Sequence, residues 1–169
     1  MRVPSRTLSC LVAGVTAALC LLPMASANAS PPVVTKFHFV APPDTLTNLC
    51  SFPVVLNATL DGTRTDYVDA NGNPTFSDFH SIEQDVFSAN GVTLTATPYV
   101  NQQKWIYDSS GNIVHAYYTG VVERIPLPDG DTFLSVGRID QVTSDNPAAL
   151  TPDVGRSGDL VSLCAALAG

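Results

Sequence analysis

The chain has 169 residues and a formal charge of −7, from 8 Lys and Arg against 15 Asp and Glu. An acidic surface is a poor partner for nucleic acid or for an anionic membrane, since both recruit clustered Lys and Arg. The length suits one ordinary domain once any leader is removed.

Such a leader is expected at residues 1–29. Arg2 and Arg6 precede an uncharged stretch from Leu8 to Leu22, then Pro23 and the small residues Ala25-Ser26-Ala27-Asn28-Ala29. That is the order of a secretory signal peptide, cut after Ala27 or after Ala29. The stretch is shorter than the roughly 20 residues of a membrane span, and no second one follows, so no span is expected. Cys20 follows Leu19 and Cys10 comes too early, so neither fits a lipidation motif, and there is no twin-Arg pair. Residues 30–169 form the expected mature domain. The leader takes two of the eight basic residues and none of the acidic ones, which leaves a charge of −9. Two cysteines remain, Cys50 and Cys164, in a compartment that permits disulfides, so one intrachain bridge is expected.

After Ser30-Pro31-Pro32 the dominant signal is alternation of period two. Phe37 and Phe39 oppose Lys36 and His38; Val54, Leu56, Ala58 and Leu60 oppose Val55, Asn57, Thr59 and Asp61; Val92, Leu94 and Ala96 oppose three threonines. These are antiparallel strands with one face on a core. Asp69-Ala70-Asn71-Gly72-Asn73 and Asp108-Ser109-Ser110-Gly111-Asn112 share an Asp-x-x-Gly-Asn pattern expected in hairpins with a left-handed Gly. Asp61-Gly62, Asn90-Gly91 and Asp129-Gly130 mark three further reversals. Ile113 to Ile125 is apolar on both parities, and Gly120 should bend it, which suits a barrel strand buried on both faces. Eight to ten short strands follow from this spacing. The expected fold is an antiparallel β-barrel of about eight strands, with a β-sandwich as the alternative. After Asp140 the chain is loop-like, with Pro147, Pro152, Gly155 and Gly158. Leu160, Leu163, Cys164 and Leu167 then fall at helical spacing behind Asp159, which predicts a short capped C-terminal helix.

No familiar catalytic motif is present. Gly155-Arg156-Ser157-Gly158-Asp159 departs from a nucleophile elbow at its last position, and there is no phosphate-binding Gly loop, Cys-x-x-Cys or His-Glu-x-x-His. Thirteen carboxylates are Asp, mostly in turns, and only Glu83 and Glu123 are Glu, both in predicted strands where Glu is disfavoured. Arg138 shares parity with Leu134 and Val136. If those are core residues it points inward and needs a carboxylate, Glu123 first, then Asp140 or Glu83. Should the protein be an enzyme, Glu83, Glu123 and Arg138 are the expected catalytic set. His38, His80 and His115 lack ligand spacing, and the Asp-rich turns lack a full calcium ladder, so neither a metal nor a cofactor is expected. Trp105, Tyr107, Tyr117 and Tyr118 surround the second Asp-x-x-Gly-Asn turn. Trp105, Tyr107, Tyr117 and Arg138 are the expected ligand-binding residues, with hairpin packing as the plainer use of the aromatics.

Several motifs carry a resemblance: Cys-Ser-Phe-Pro-Val at Cys50, the two Asp-x-x-Gly-Asn turns, Gly-Arg-Ile-Asp at Gly137 and Cys-Ala-Ala-Leu at Cys164. Together with the leader they resemble small exported proteins of actinobacteria, over most of the mature chain. The resemblance implies an exported β domain and brings no catalytic residue. A weaker similarity in strand and turn rhythm to allene oxide cyclase and dirigent-like barrels implies fold alone. The expected function is a secreted, noncatalytic binding or interaction module for a small apolar ligand or a cell-surface partner. The alternatives are a small cofactor-free isomerase or hydrolase and a structural surface protein.

Overall fold

A computed structural model describes residues 30–142 and 150–169. The expected leader, with Cys10 and Cys20, and the loop around Pro147 lie outside the described residues. The described chain forms β1 (Val33–Val40), β2 (Asp44–Leu46), β3 (Val54–Val68), β4 (Pro74–Ala89), β5 (Val92–Thr95), β6 (Tyr99–Tyr107), β7 (Ile113–Pro126), β8 (Thr132–Asp140), β9 (Val154–Arg156) and α1 (Leu160–Ala168). The fold is mainly antiparallel β with one short C-terminal helix, as the period-two alternation predicts.

All nine strands belong to one sheet ordered β1-β3-β4-β6-β7-β8-β9, with β2 added to β3 and β5 to β4. The hydrogen-bonded path is open, its ends β1 and β9 being unpaired with each other among the described residues. It curls strongly all the same, because side chains from β1, β3, β4, β6 and β7 line one concavity. Three strands are long, with 15 residues in β3, 16 in β4 and 14 in β7, where the turn spacing had suggested short ones.

Both Asp-x-x-Gly-Asn segments form the expected hairpins. Asp69 Oδ1 accepts from the backbone N–H of Asn71 and Asn73 at 2.8 Å, and Asp108 Oδ1 accepts from Ser110 and Asn112 at 2.8 and 2.9 Å. Gly72 and Gly111 take the left-handed conformation at φ 86° and 82°, so each turn closes at the cost only glycine avoids. Asp61-Gly62 does not reverse the chain; β3 runs straight through it. Gly62 instead belongs to a row across the inner face, Phe37, Gly62, Ser81, Asn101, Gly120, Gly137 and Gly155, in successive register. Small residues in one row let the sheet coil tightly there. A Cβ at Gly62 would meet the His80 carbonyl oxygen at 2.4 Å and Ser81 Cβ at 2.7 Å. Gly62→Ala should therefore cost about 1–3 kcal/mol in urea unfolding; an unchanged midpoint would show that the coil relaxes freely.

The double-parity pattern of β7 has a different cause from two buried faces. Ala116, Tyr118 and Val122 are buried on one parity, and past a register shift between Val121 and Glu123 the buried residues become Glu123 and Ile125. Ile113 and Val114 are exposed. One bulge thus switches parity, so a strand buried on one face reads as buried on both.

The apolar core fills one end of the curl. Val54, Phe87, Leu94, Tyr99, Ile125 and Phe133 pack there with Leu163 and Leu167 of α1. Asp159 caps α1, its Oδ1 accepting from Val161 N at 2.9 Å. The expected disulfide is present between Cys50 and Cys164 and ties α1 to the segment ahead of β3. That end is closed, and the opposite end of the inner face is where polar and aromatic groups collect.

Candidate functional site

The inner face of β4 has an unusual composition for a strand facing a core. Its buried parity carries Ser77, Ser81, Glu83 and Asp85 before it reaches Phe87 and Ala89, while Ile82 on the other parity is 54% exposed. A strand turns carboxylates inward only if something inside uses them, since burying ionised groups costs several kcal/mol each.

Glu83, Asp85 and Glu123 line a cavity of about 140 Å³ together with Tyr99, Tyr118, Val122, Gln141 and Leu150. Glu83 is 9% exposed, Asp85 3% and Glu123 1%. Among the described residues, no Lys, Arg or His forms an ion pair with any of the three. Tyr99 donates to Asp85 Oδ2 at 2.7 Å, Asn101 Nδ2 donates to Glu83 Oε2, and the Arg124 backbone N–H donates to Glu123 Oε1 at 3.0 Å. Ser81 fixes the Asn101 amide by donating to its Oδ1 at 2.7 Å, and Asn101 Nδ2 also donates to the Tyr118 hydroxyl at 2.5 Å. Burial, then the neighbouring Asp85 charge, push Glu83 up to about 8. Burial and Asp85 push Glu123 up to about 10, and burial raises Asp85 as well. Asp85 Oδ1 receives nothing from an N–H or hydroxyl; what it can share is the proton of a neutral Glu123. Glu83 and Glu123 thus favour the protonated form at neutral pH, acids held in reserve rather than a charged nest.

Beside it lies a groove of about 570 Å³, lined by Phe37, Phe39, Ala58, Leu60, Phe79 and Trp105, with Thr35, His38, Arg64 and Gln103 among its polar members. Glu83, Tyr118 and Gln141 line both spaces, so the groove opens onto the carboxylates. Arg64 is neutralised by Asp66, Nε to Oδ1 2.7 Å, and its guanidinium lies over the rings of Phe79 and Trp105 at 5.3 and 5.8 Å from their centroids. Phe79 and Trp105 pack at 4.6 Å between centroids. The Trp105 indole N–H is buried and has no acceptor among the described residues, which leaves one donor unspent at the groove wall.

The residues singled out by sequence divide across the sheet. Glu83 and Glu123 come together on the inner face; Arg138 does not join them. Phe133, Ser135 and Ile139 are buried, as is Asp140 at the strand's end, whereas Leu134 and Val136 are only partly buried and Arg138 is exposed, so the parity of Leu134 and Val136 is the outer one. Its guanidinium rests over the Tyr117 ring at 5.3 Å, and Glu123 is not its partner. Trp105 and Tyr107 face inward, Tyr107 meeting Arg64 and Ser77, whereas Tyr117 and Arg138 line a shallow outer depression of about 480 Å³. The four expected ligand-binding residues therefore do not form one site. His38 pairs with Asp61, His115 with Asp140, and His80 is exposed on the outer face. No group of three or more His, Cys, Asp or Glu among the described residues is arranged to hold a metal ion.

Comparison with family models, with curated proteins and with solved structures finds no match. The site must be read from its own chemistry. Sequence reasoning missed Asn101, Tyr99, Arg64 and Phe79. One signal was available for Phe79: it shares parity with Glu83 and Asp85 along one strand.

Proposed function

We propose that this protein is an exported binding module that holds a small, largely apolar molecule in the groove of the curled sheet. The observation that carries the reading is the groove itself, a pocket of about 570 Å³ whose apolar wall is built by Phe37, Phe39, Leu60, Phe79 and Trp105, with polar side chains such as Arg64, Gln103 and Glu83 interspersed. That is the volume and lining expected of a small-molecule site, where apolar walls supply affinity and a few polar groups set orientation. Phe39, 51% exposed at the groove wall, is a large apolar surface left in water that a ligand would cover. The disulfide, and the absence among the described residues of a helix able to cross a membrane, are compatible with an extracellular setting. The expected leader supports export.

Trp105 is the one tryptophan of the chain and lines the groove, so its fluorescence reports occupancy. Titration with the neutral probe N-phenyl-1-naphthylamine should quench Trp105 emission saturably. Phe79→Ala should weaken binding about tenfold or more, the loss expected when a ring that buries apolar ligand surface is removed. Linear quenching, or equal affinity in a Leu60→Lys variant that places a charge in the groove, would remove this reading. Native mass spectrometry of protein purified from its culture medium would identify a resident ligand directly.

A further inference from the structure

We infer that the groove is also a site of cofactor-free proton transfer, in which the Glu83 carboxyl exchanges a proton with an apolar carbon acid, such as an enolisable ketone, bound against it. The inference rests on the binding reading and adds chemistry to it.

Three observations converge on Glu83. Its side chain lines both the apolar groove and the carboxylate cavity, so it touches whatever the groove holds. It is 9% exposed, which keeps bulk water from levelling its basicity. Its orientation is fixed by Asn101, itself fully buried and anchored by Ser81. Such a pre-positioned carboxyl at an apolar boundary is the arrangement general acid–base catalysis requires. Burial also raises it to about 8, so both protonation states are accessible near neutral pH.

The cavity behind Glu83 reads as a site and not only as an acidic cluster. Asp85 is 3% exposed and lines the cavity, and among the described residues its Oδ1 meets no donor other than the carboxyl of Glu123. Beside it, Tyr118 also lines both spaces, and its hydroxyl accepts from Asn101 Nδ2. Its own proton therefore remains available to donate toward the groove. Asp85, Glu123 and Asn101 act as positioning residues: Asn101 holds the Glu83 carboxyl in place, and the Asp85 carboxyl beside it favours its protonated form.

The step balances without a co-reactant. The Glu83 carboxylate takes a proton from the carbon next to the carbonyl. The C–H electron pair forms the enolate double bond as the carbonyl π pair moves onto oxygen, where the Tyr118 hydroxyl donates a hydrogen bond. The neutral carboxyl then returns the proton to the same or a conjugated carbon. No electron is gained or lost, and the product is an isomer of the substrate.

The probe is 5-nitrobenzisoxazole, a flat apolar carbon acid. Its ring C–H gives a proton to a base, the C–H pair becomes the third carbon–nitrogen bond, and the nitrogen–oxygen bond breaks to leave a coloured phenolate. The full disulfide-bonded domain should catalyse this opening with saturation, and kcat/KM should rise through a pH of about 8. Glu83→Gln should lower kcat/KM by about a hundredfold or more while Trp105 quenching by the probe is retained. Tyr118→Phe should lower kcat with little change in KM. If the probe saturates Trp105 quenching yet opens no faster than in acetate buffer, or if Glu83→Gln keeps the rate, proton transfer falls and the binding reading stands. If the probe does not quench, both fall. The pH profile of the unaltered protein decides the matter even where a variant fails to fold.

Discussion

A Cys50→Ala/Cys164→Ala variant should lose about 4 to 5 kcal/mol of folding stability, with the melting midpoint lowered by roughly 10–20 °C. The bridge spans 114 residues, so in the unfolded chain it closes a loop that takes in nearly all of the sheet. That is where a cross-link removes most unfolded-state entropy. It also holds α1, a helix of 9 residues too short to persist alone in water, whose docking otherwise depends on Leu163 and Leu167, both fully buried. Local loosening should therefore appear first in α1, as faster amide exchange over Leu160–Ala168 at temperatures where the strands remain protected. Thermal denaturation monitored by circular dichroism measures the global effect. A loss below about 1 kcal/mol would mean that the core alone closes this end of the sheet and that the loop-entropy argument does not govern here.

The bridge was legible because only one pairing was left once the leader cysteines were set aside, and the hairpins because Asp and Gly at fixed offsets satisfy specific backbone groups. Other features were not legible, for identifiable physical reasons. Asp61-Gly62 has the letters of a turn, but Gly62 is used for close approach of β3 to β4 inside a long strand. Periodicity cannot separate those two uses of glycine. The apolar residues of β7 on both parities reflect a bulge, which shifts the phase of one buried face, and composition cannot tell a phase shift from a second buried face. That reading of β7 was the ground for preferring a barrel to a sandwich, and with the bulge in place β7 supports neither over the other. Arg138 was misplaced because Leu134 and Val136 look more like core residues than Ser135 and Gly137 do. In this sheet the inner face has small and polar residues along its middle rows. The same inversion hid part of the site, since Asn101 resembles a surface residue unless the interior is known to be polar.

That polar interior governs the response to pH. Glu83 and Glu123 are raised by burial to about 8 and about 10 from an ordinary 4.5. Asp85 is raised in the same sense. An acid whose pKa rises on folding holds its proton more tightly in the folded chain than in the unfolded one. Its contribution is fully present below the unfolded value of 4.5 and is lost as pH climbs toward the folded value. For one such group the loss amounts to about 3 kcal/mol by pH 7, and the members of a coupled trio do not simply add. Asp69, Asp108 and Asp159 act oppositely, because hydrogen bonds from their own turns or cap lower them below 3.8. Their contribution is present above that value and fades only as pH falls through their lowered pKa. The two windows meet without overlapping, so stability should peak near pH 4 to 5 and decline steadily to pH 9, an unusual optimum set by unpaired interior carboxyls. Glu123→Gln keeps the shape and the capacity to donate to Asp85 while removing the group with the widest window. It should be more stable than the unaltered protein by about 2–3 kcal/mol at pH 8 and indistinguishable from it near pH 4. Urea unfolding at pH 4, 6 and 8 measures both curves. Were stability to rise between pH 5 and 8, the three carboxyls would have to be ionised and compensated in the folded state, and the reading of the cavity as a reserve of neutral acids would be wrong.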